Sequence, residues 1–283
     1  MRFERITHAA LDLSSPTRME RYLRDTFGLQ LLRQGYWKGE YVRVMGSPVH
    51  QRDNPPMLIL YNRPFIPRAR LRYIAVAVSM DVPDAVVDLR RRGYEVDGDD
   101  IISAPGGLRI KIDHLTRPRP MPTGDPSTKM ADAPVDASLE CLVRGIHHIA
   151  LDVASHEPML SWCQAVFGMD FKRMFDRRGE YIATMRYSDS ALDAVGRRPG
   201  FTPLFLRHGN PGTTLNHIAF DFADADGAIV ELESRGVKVD LPQDAMIHGP
   251  EEMWYQIDSR DTPYPIGHPA NDPGVPLFPY RYD

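Results

Sequence analysis

Apolar and polar residues alternate over four short runs: ITHAALDL (Ile6–Leu13), RYIAVAV (Arg72–Val78), IHHIALDV (Ile146–Val153) and NHIAFDF (Asn216–Phe222). A period of two predicts strands with one wholly apolar face and one mixed face. A stretch of helical periodicity follows each run: PTRMERYLRDTFG, VPDAVVDLRRRG, EPMLSWCQAVFG and DADGAIVELESRG. All four end in glycine, which suits a left-handed C-cap. Two or three further strand-like runs come after each helix, such as YIATMRYSD and PLFLRHG in the third unit. The predicted class is α+β, built from four βαβββ modules that open near Ile6, Arg72, Ile146 and Asn216.

The modules are related in pairs. His8 and His148, Phe27 and Phe167, and Gly39 and Gly179 are each separated by 140 positions (148−8, 167−27, 179−39). One offset shared by three motifs in the same order marks a duplication. The predicted division is an N-terminal two-module domain over 1–115, serving as a structural half, and a C-terminal two-module domain over 144–270 that carries the candidate site. Between them, 116–143 reads as a proline-rich linker, since HLTRPRPMPTGDPSTKMADAPVDAS is polar and lacks periodicity. A proline-rich tail occupies 271–283.

Composition narrows the function classes. The chain has 283 residues, a formal net charge of −4, 42% hydrophobic and 25% charged residues, an ordinary soluble balance. No basic excess points to nucleic acid. No apolar run reaches the roughly 18 residues of a membrane span, and the N-terminus lacks the apolar core of a signal peptide. Cys141 and Cys163 form no CxxC pattern and read as two reduced thiols of a cytoplasmic protein.

Strand parity separates the adjacent histidines of the third opening strand. His147, Ile149, Leu151 and Val153 share one face, which should pack beneath a helix; His148, Ala150 and Asp152 share the other. The same division places His217, Ala219 and Asp221 together in the fourth module. His148 and His217 are therefore the candidate metal pair, with Asp152 and Asp221 as candidate substrate-binding groups. Two neutral imidazoles suit divalent iron or manganese when a carboxylate completes the set and leaves positions open.

These opening strands and the four-module length resemble the vicinal oxygen chelate superfamily, which includes glyoxalases, bleomycin-resistance proteins and dioxygenases. The two-domain arrangement is most similar to type I extradiol ring-cleaving dioxygenases. The resemblance implies Fe(II), or alternatively Mn(II), at His148 and His217. It further implies a glutamate ligand on the last strand of the fourth module, after a turn here read as DSRD (Asp258–Asp261). That alignment puts Gly267 at the glutamate position, and neither Glu nor Asp occurs between Asp261 and Asp272. His268 is the nearest substitute donor; Glu251, Glu252 and Asp258 are others without a motif. Tyr255 and His248 fall where the family places groups that bind substrate and move protons. The family's acid–base histidine would fall near Phe201–Thr202 and is absent, although His208 lies further along. In the N-terminal half His8 keeps the first-ligand position, but Tyr73 and Lys111 replace its partners. A cross-paired site of His8 with His217 is the other arrangement such a fold allows.

The resemblance thus implies an extradiol-type dioxygenase acting on a catechol-like or hydroquinone-like aromatic through a divalent metal. Its alternatives are an isomerase, epimerase or lyase of the same fold with weak metal or none, or a binding protein for a small oxygenated molecule. Homo-oligomers are common among such modules.

Overall fold

The computed structural model describes residues 1–47, 58–113, 129–177 apart from Ala137 and Leu139, 180–186, 204–208, 212–240 and 245–259. The first module comprises β1 (Phe3–Leu13), α1 (Pro16–Phe27), β2 (Gln30–Trp37), β3 (Glu40–Gly46) and β4 (Leu58–Asn62). The second comprises β5 (Arg70–Val78), α2 (Val82–Arg91), β6 (Ile101–Ser103) and β7 (Arg109–Asp113), and β8 (Lys129–Asp132) follows it. The third has β9 (Val143–Val153), α3 (His156–Phe167), β10 (Asp170–Arg177), β11 (Glu180–Arg186) and β12 (Leu204–His208). The fourth has β13 (Thr214–Phe222), a helix Ala225–Ser234 designated α4, β14 (Met246–His248) and β15 (Trp254–Asp258). In the second and fourth modules the first of the three later strands is reduced to a single bridge, Val96 with Ile102 and Asp240 with Met246.

Each half forms one mixed sheet, ordered β6-β7-β5-β1-β4-β3-β2-β8 and β10-β11-β12-β9-β13-β15-β14. The opening strands of each half pair antiparallel at the centre, β1 with β5 and β9 with β13, and each module's last strand lies parallel to its first. The tandem α+β modules read from the repeat are therefore present. The segment read as a linker contributes a strand: β8 pairs antiparallel with β2 over four residues. Its sequence, KMAD, is too short to show alternation, and backbone hydrogen bonds to the edge of β2 order it instead.

Glycine ends the helices as expected, at φ +75° for Gly28, +62° for Gly168, +87° for Gly93 and +80° for Gly236. Gly28 is needed twice over, since a Cβ there would meet the Glu140 carbonyl oxygen at 2.1 Å. The helix-facing residues of both sheets join one buried apolar core that spans the halves. Phe27 of α1 packs 5.0 Å, ring to ring, from Phe220 of β13, and Phe3 of β1 packs 6.0 Å from Phe167 of α3. The other face of the N-terminal sheet carries a separate apolar cluster that includes Trp37, Tyr61 and Tyr73. No helix among the described residues is long and apolar enough to cross a membrane.

Candidate functional site

On the sheet face away from the helices, β9 and β13 present two imidazoles to one another. His148 Nε2 lies 3.1 Å from His217 Nε2; His148 is buried and His217 is half-buried. The register matches Ala150 with His217 and His148 with Ala219, so each histidine stands opposite a small residue. Alanines there leave the rings space to lean together.

The far side of each ring is held. Asn216 donates from Nδ2 to both oxygens of Asp152, at 3.1 and 3.3 Å, which turns its Oδ1 toward His217 Nδ1 at 2.8 Å. The Asn216 oxygen is an acceptor, so it selects the His217 tautomer with the proton on Nδ1 and leaves Nε2 bare. Burial, aided by the charge of Arg207, lowers the His217 pKa to about 3, against an opposing hydrogen bond from Gln256. His217 is thus a neutral imidazole near pH 7.

Behind His148 stand His147 and Asp258. His148 Nδ1 is 2.9 Å from His147 Nδ1 and 3.6 Å from Asp258 Oδ2, and His147 Nδ1 is 3.4 Å from the same oxygen. The hydrogen-bond partner of His148 Nδ1 is His147 Nδ1, whereas Asp258 Oδ2 lies just beyond hydrogen-bond reach and sets a negative charge beside both rings. The three residues bring ligand atoms within 4.8 Å of one another, a set able to hold a metal ion. All three are buried, at 4, 1 and 0% exposure, so this set has little room for a substrate. Catalytic metal sites keep coordination positions open.

The expectation that His147 packs only against the core needs correction. The β9–β13 register shifts between Ala219↔His148 and Phe220↔Ile146, and the extra residue is His147. A bulge breaks strict alternation, and His147 turns toward His148 and Asp258.

The sheet register offers another position for a third ligand. β15 is the strand that pairs parallel with β13, as β7 pairs with β5, and it sets Gln256 beside Ala219 and Asp258 beside Asp221. In the N-terminal half Lys111 stands beside Ala75 and Asp113 beside Ala77. Gln256 is therefore the counterpart of Lys111. Gly267 and His268 lie outside the described residues. The signal was present in the sequence: IKID (Ile110–Asp113) and YQID (Tyr255–Asp258) end alike.

Several other expected residues are placed elsewhere. Tyr255 faces the core, stacked on Phe220, and its hydroxyl lies 3.1 Å from Met19 Sδ. Its register partner is Ile218, on the opposite face from His217. His248 is exposed on the edge strand β14, against Trp254. Asp221 is engaged by Arg144 at 3.0 Å. Asp152 serves Asn216 and lies 3.9 Å from Arg207 Nε. Glu251 caps α1 rather than approaching the histidines. His8 sits with Thr7 and Asp113 in the N-terminal half.

The donor geometry fits a divalent ion. Two nitrogens bound at about 2.1 Å and at roughly right angles to one another lie about 3 Å apart, close to the spacing of the two Nε2 atoms. The set at His148, His217 and Gln256 carries no negative charge of its own.

Residues 145–253 match the Glyoxalase/Bleomycin resistance protein/Dioxygenase superfamily. No curated protein matches the chain in sequence. Among solved structures, a mutant of 4-hydroxymandelate synthase from Streptomyces coelicolor is similar with a TM-score of 0.65 at 15% identity, over 90% of this chain and 92% of that one. The Mn(II)-bound glyoxalase from Novosphingobium aromaticivorans is similar at 0.64 and 14%, over 94% and 85%. A mutant of homoprotocatechuate 2,3-dioxygenase from Brevibacterium fuscum is similar at 0.61 and 15%, over 90% and 71%. At these identities the likeness is one of fold.

Proposed function

We propose that this chain, whose residues 145–253 match the Glyoxalase/Bleomycin resistance protein/Dioxygenase superfamily, is a divalent-metal enzyme of the extradiol dioxygenase type. Its substrate class is a small catechol-like or hydroquinone-like aromatic, and its imidazole ligands are His148 and His217. The observation that carries this reading is the approach of the two Nε2 atoms to 3.1 Å, with the His217 proton held on the far nitrogen. When His147 Nδ1 accepts from His148 Nδ1, both rings turn a lone pair inward, an arrangement that favours a cation between them. Variants of homoprotocatechuate 2,3-dioxygenase similar to this fold bind HPCA, and the similar glyoxalase binds Mn(II).

A bound iron(II) or manganese(II) ion supplies Lewis acidity at the substrate oxygens, and iron also supplies electrons to dioxygen. The chain's own residues do the rest. His147 and Asn216 orient the imidazoles, Ala150 and Ala219 keep the floor low, and the Arg207 guanidinium, near Asp152, draws an ionised substrate hydroxyl toward the pair.

Gln256 favours a second reading, in which the ion is held weakly or not at all. His148 and His217 then serve as acid–base groups in an isomerisation or elimination. Metal analysis of protein purified without chelator separates the two. Near-stoichiometric iron or manganese that disappears in His148→Ala or His217→Ala supports the dioxygenase reading. Protein that is free of metal, and that leaves catechols intact and consumes no oxygen after anaerobic ferrous loading, sinks it.

A further inference from the structure

The N-terminal sheet repeats the site's plan with different residues. His8 stands where His148 stands, Tyr73 where His217 stands and Lys111 where Gln256 stands, over a floor of Ala10 and Ala75. Lys111 donates to the Asp99 carbonyl at 2.6 Å, and its cation argues against a metal at this position.

Four buried polar atoms belong to this face. His8 Nε2 and Trp37 Nε1 have no hydrogen-bond partner of good geometry, the Tyr61 and Tyr73 hydroxyls have only one another, and their residues are 0–3% exposed. The two hydroxyls are near enough to influence one another's ionisation. Trp37 packs 6.0 Å from Tyr61, and His8 packs 5.7 Å from Tyr73, edge to face. Native proteins rarely leave such groups uncompensated.

The chemistry on offer is specific. Thr7 Oγ1 donates to Asp113 at 2.9 Å and so has no hydrogen left for His8 Nδ1, 3.1 Å away. His8 Nδ1 therefore carries the ring proton, and Nε2 is an acceptor. Trp37 offers a donor, and each tyrosine offers either role. The walls are aliphatic, from Val42, Val44 and Ile59. Near the sheet's end, Arg72 lies 3.9 Å over the Tyr61 ring and is balanced with Arg63 against Asp12 and Glu40. No net charge is left there to select an ion.

We propose that this face of the N-terminal half is a second small-molecule site, for an uncharged phenol-type aromatic. The ligand's hydroxyl donates to His8 Nε2, and its oxygen accepts from Tyr73, Tyr61 or Trp37. The inference does not depend on the metal reading of the C-terminal half.

Phenol is the probe, and the indole N–H signals of the full-length chain are the readout. The chain has three tryptophans, Trp37, Trp162 and Trp254, and Trp37→Phe assigns the first. A saturable shift of the Trp37 signal is expected, with Trp162 unmoved. Tyr73→Phe, which keeps the ring, should weaken phenol binding about fivefold, the loss of one ordinary hydrogen bond. Ala10→Leu should abolish the shift by filling the floor. In a His148→Ala/His217→Ala chain the Trp37 shift should persist. A Trp37 signal that stays still in the unsubstituted chain overturns the proposal, as does a shift that is lost in the double variant or kept in a folded Ala10→Leu chain.

Discussion

Gln256 and Lys111 occupy one register of the two half-sheets, opposite Ala219 and Ala75. The difference between them is a whole charge beside an imidazole. A neutral carboxamide at this register tolerates a cation, a lysine repels it, and a carboxylate would attract it. Gln256→Glu should therefore raise the affinity for Mn(II) at least tenfold, about 1.4 kcal/mol. Titration of metal-free protein with Mn(II) measures this directly. Equal affinities in the two proteins would detach position 256 from the ion. The histidine pair was legible because the repeat and the alternation both marked it. Gln256 was not, because it is not acidic and only the shared -ID ending marks its register. Asn216 and Asp258 were harder still, since what they do depends on a tautomer and on a bulge, and neither leaves a period in the sequence.

The elements themselves were legible wherever one face is buried. All four helices fall within two residues of the periodic stretches that announced them, because their apolar stripes pack on a sheet. Alternation failed at His147, where the register shift re-aims one side chain. It also failed at β8, a four-residue strand held to β2 by its backbone, by the Asp132–Arg33 pair and by Met130 against the apolar cluster. α1 shows a further device that no pattern encodes. Its N-terminus has no cap from its own Ser15 side chain. The carboxylate of Glu251, more than two hundred residues away, accepts from Ser14 N at 2.8 Å and Ser15 N at 2.7 Å. Glu251→Ala should cost about 1–2 kcal/mol of stability, within the range of a lost helix cap, and Glu251→Gln less. Urea denaturation of the three proteins provides the comparison. Unchanged midpoints would mean that water replaces the cap without loss.

At the scale of the molecule, burial sets how the protein responds to acid. His8 is fully buried, and burial, with help from Lys111 and against Asp113, lowers its pKa from 6.5 to about 4. The unfolded chain takes up this proton as pH falls through 6.5, whereas the native state resists it until about 4. Stability is therefore whole above pH 6.5 and declines between 6.5 and 4, by on the order of 3 kcal/mol from this residue. His8→Gln should flatten that part of the profile when folding free energies at pH 7 and 4.5 are compared. A variant that loses as much stability between the two pH values as its parent would refute the assignment.

The core shared between the halves has a consequence for the duplication that built this chain. Phe220 and Tyr255 of one half are covered by Met19 and Phe27 of the other, and Arg92 donates to the carbonyls of Ala165 and Val166 that end α3. A half released on its own would bare an aromatic surface that has no cover within its own sequence. The most economical ancestor is a two-module polypeptide that paired with its own twin. Joined in one chain, the two halves stay paired whatever each of them holds.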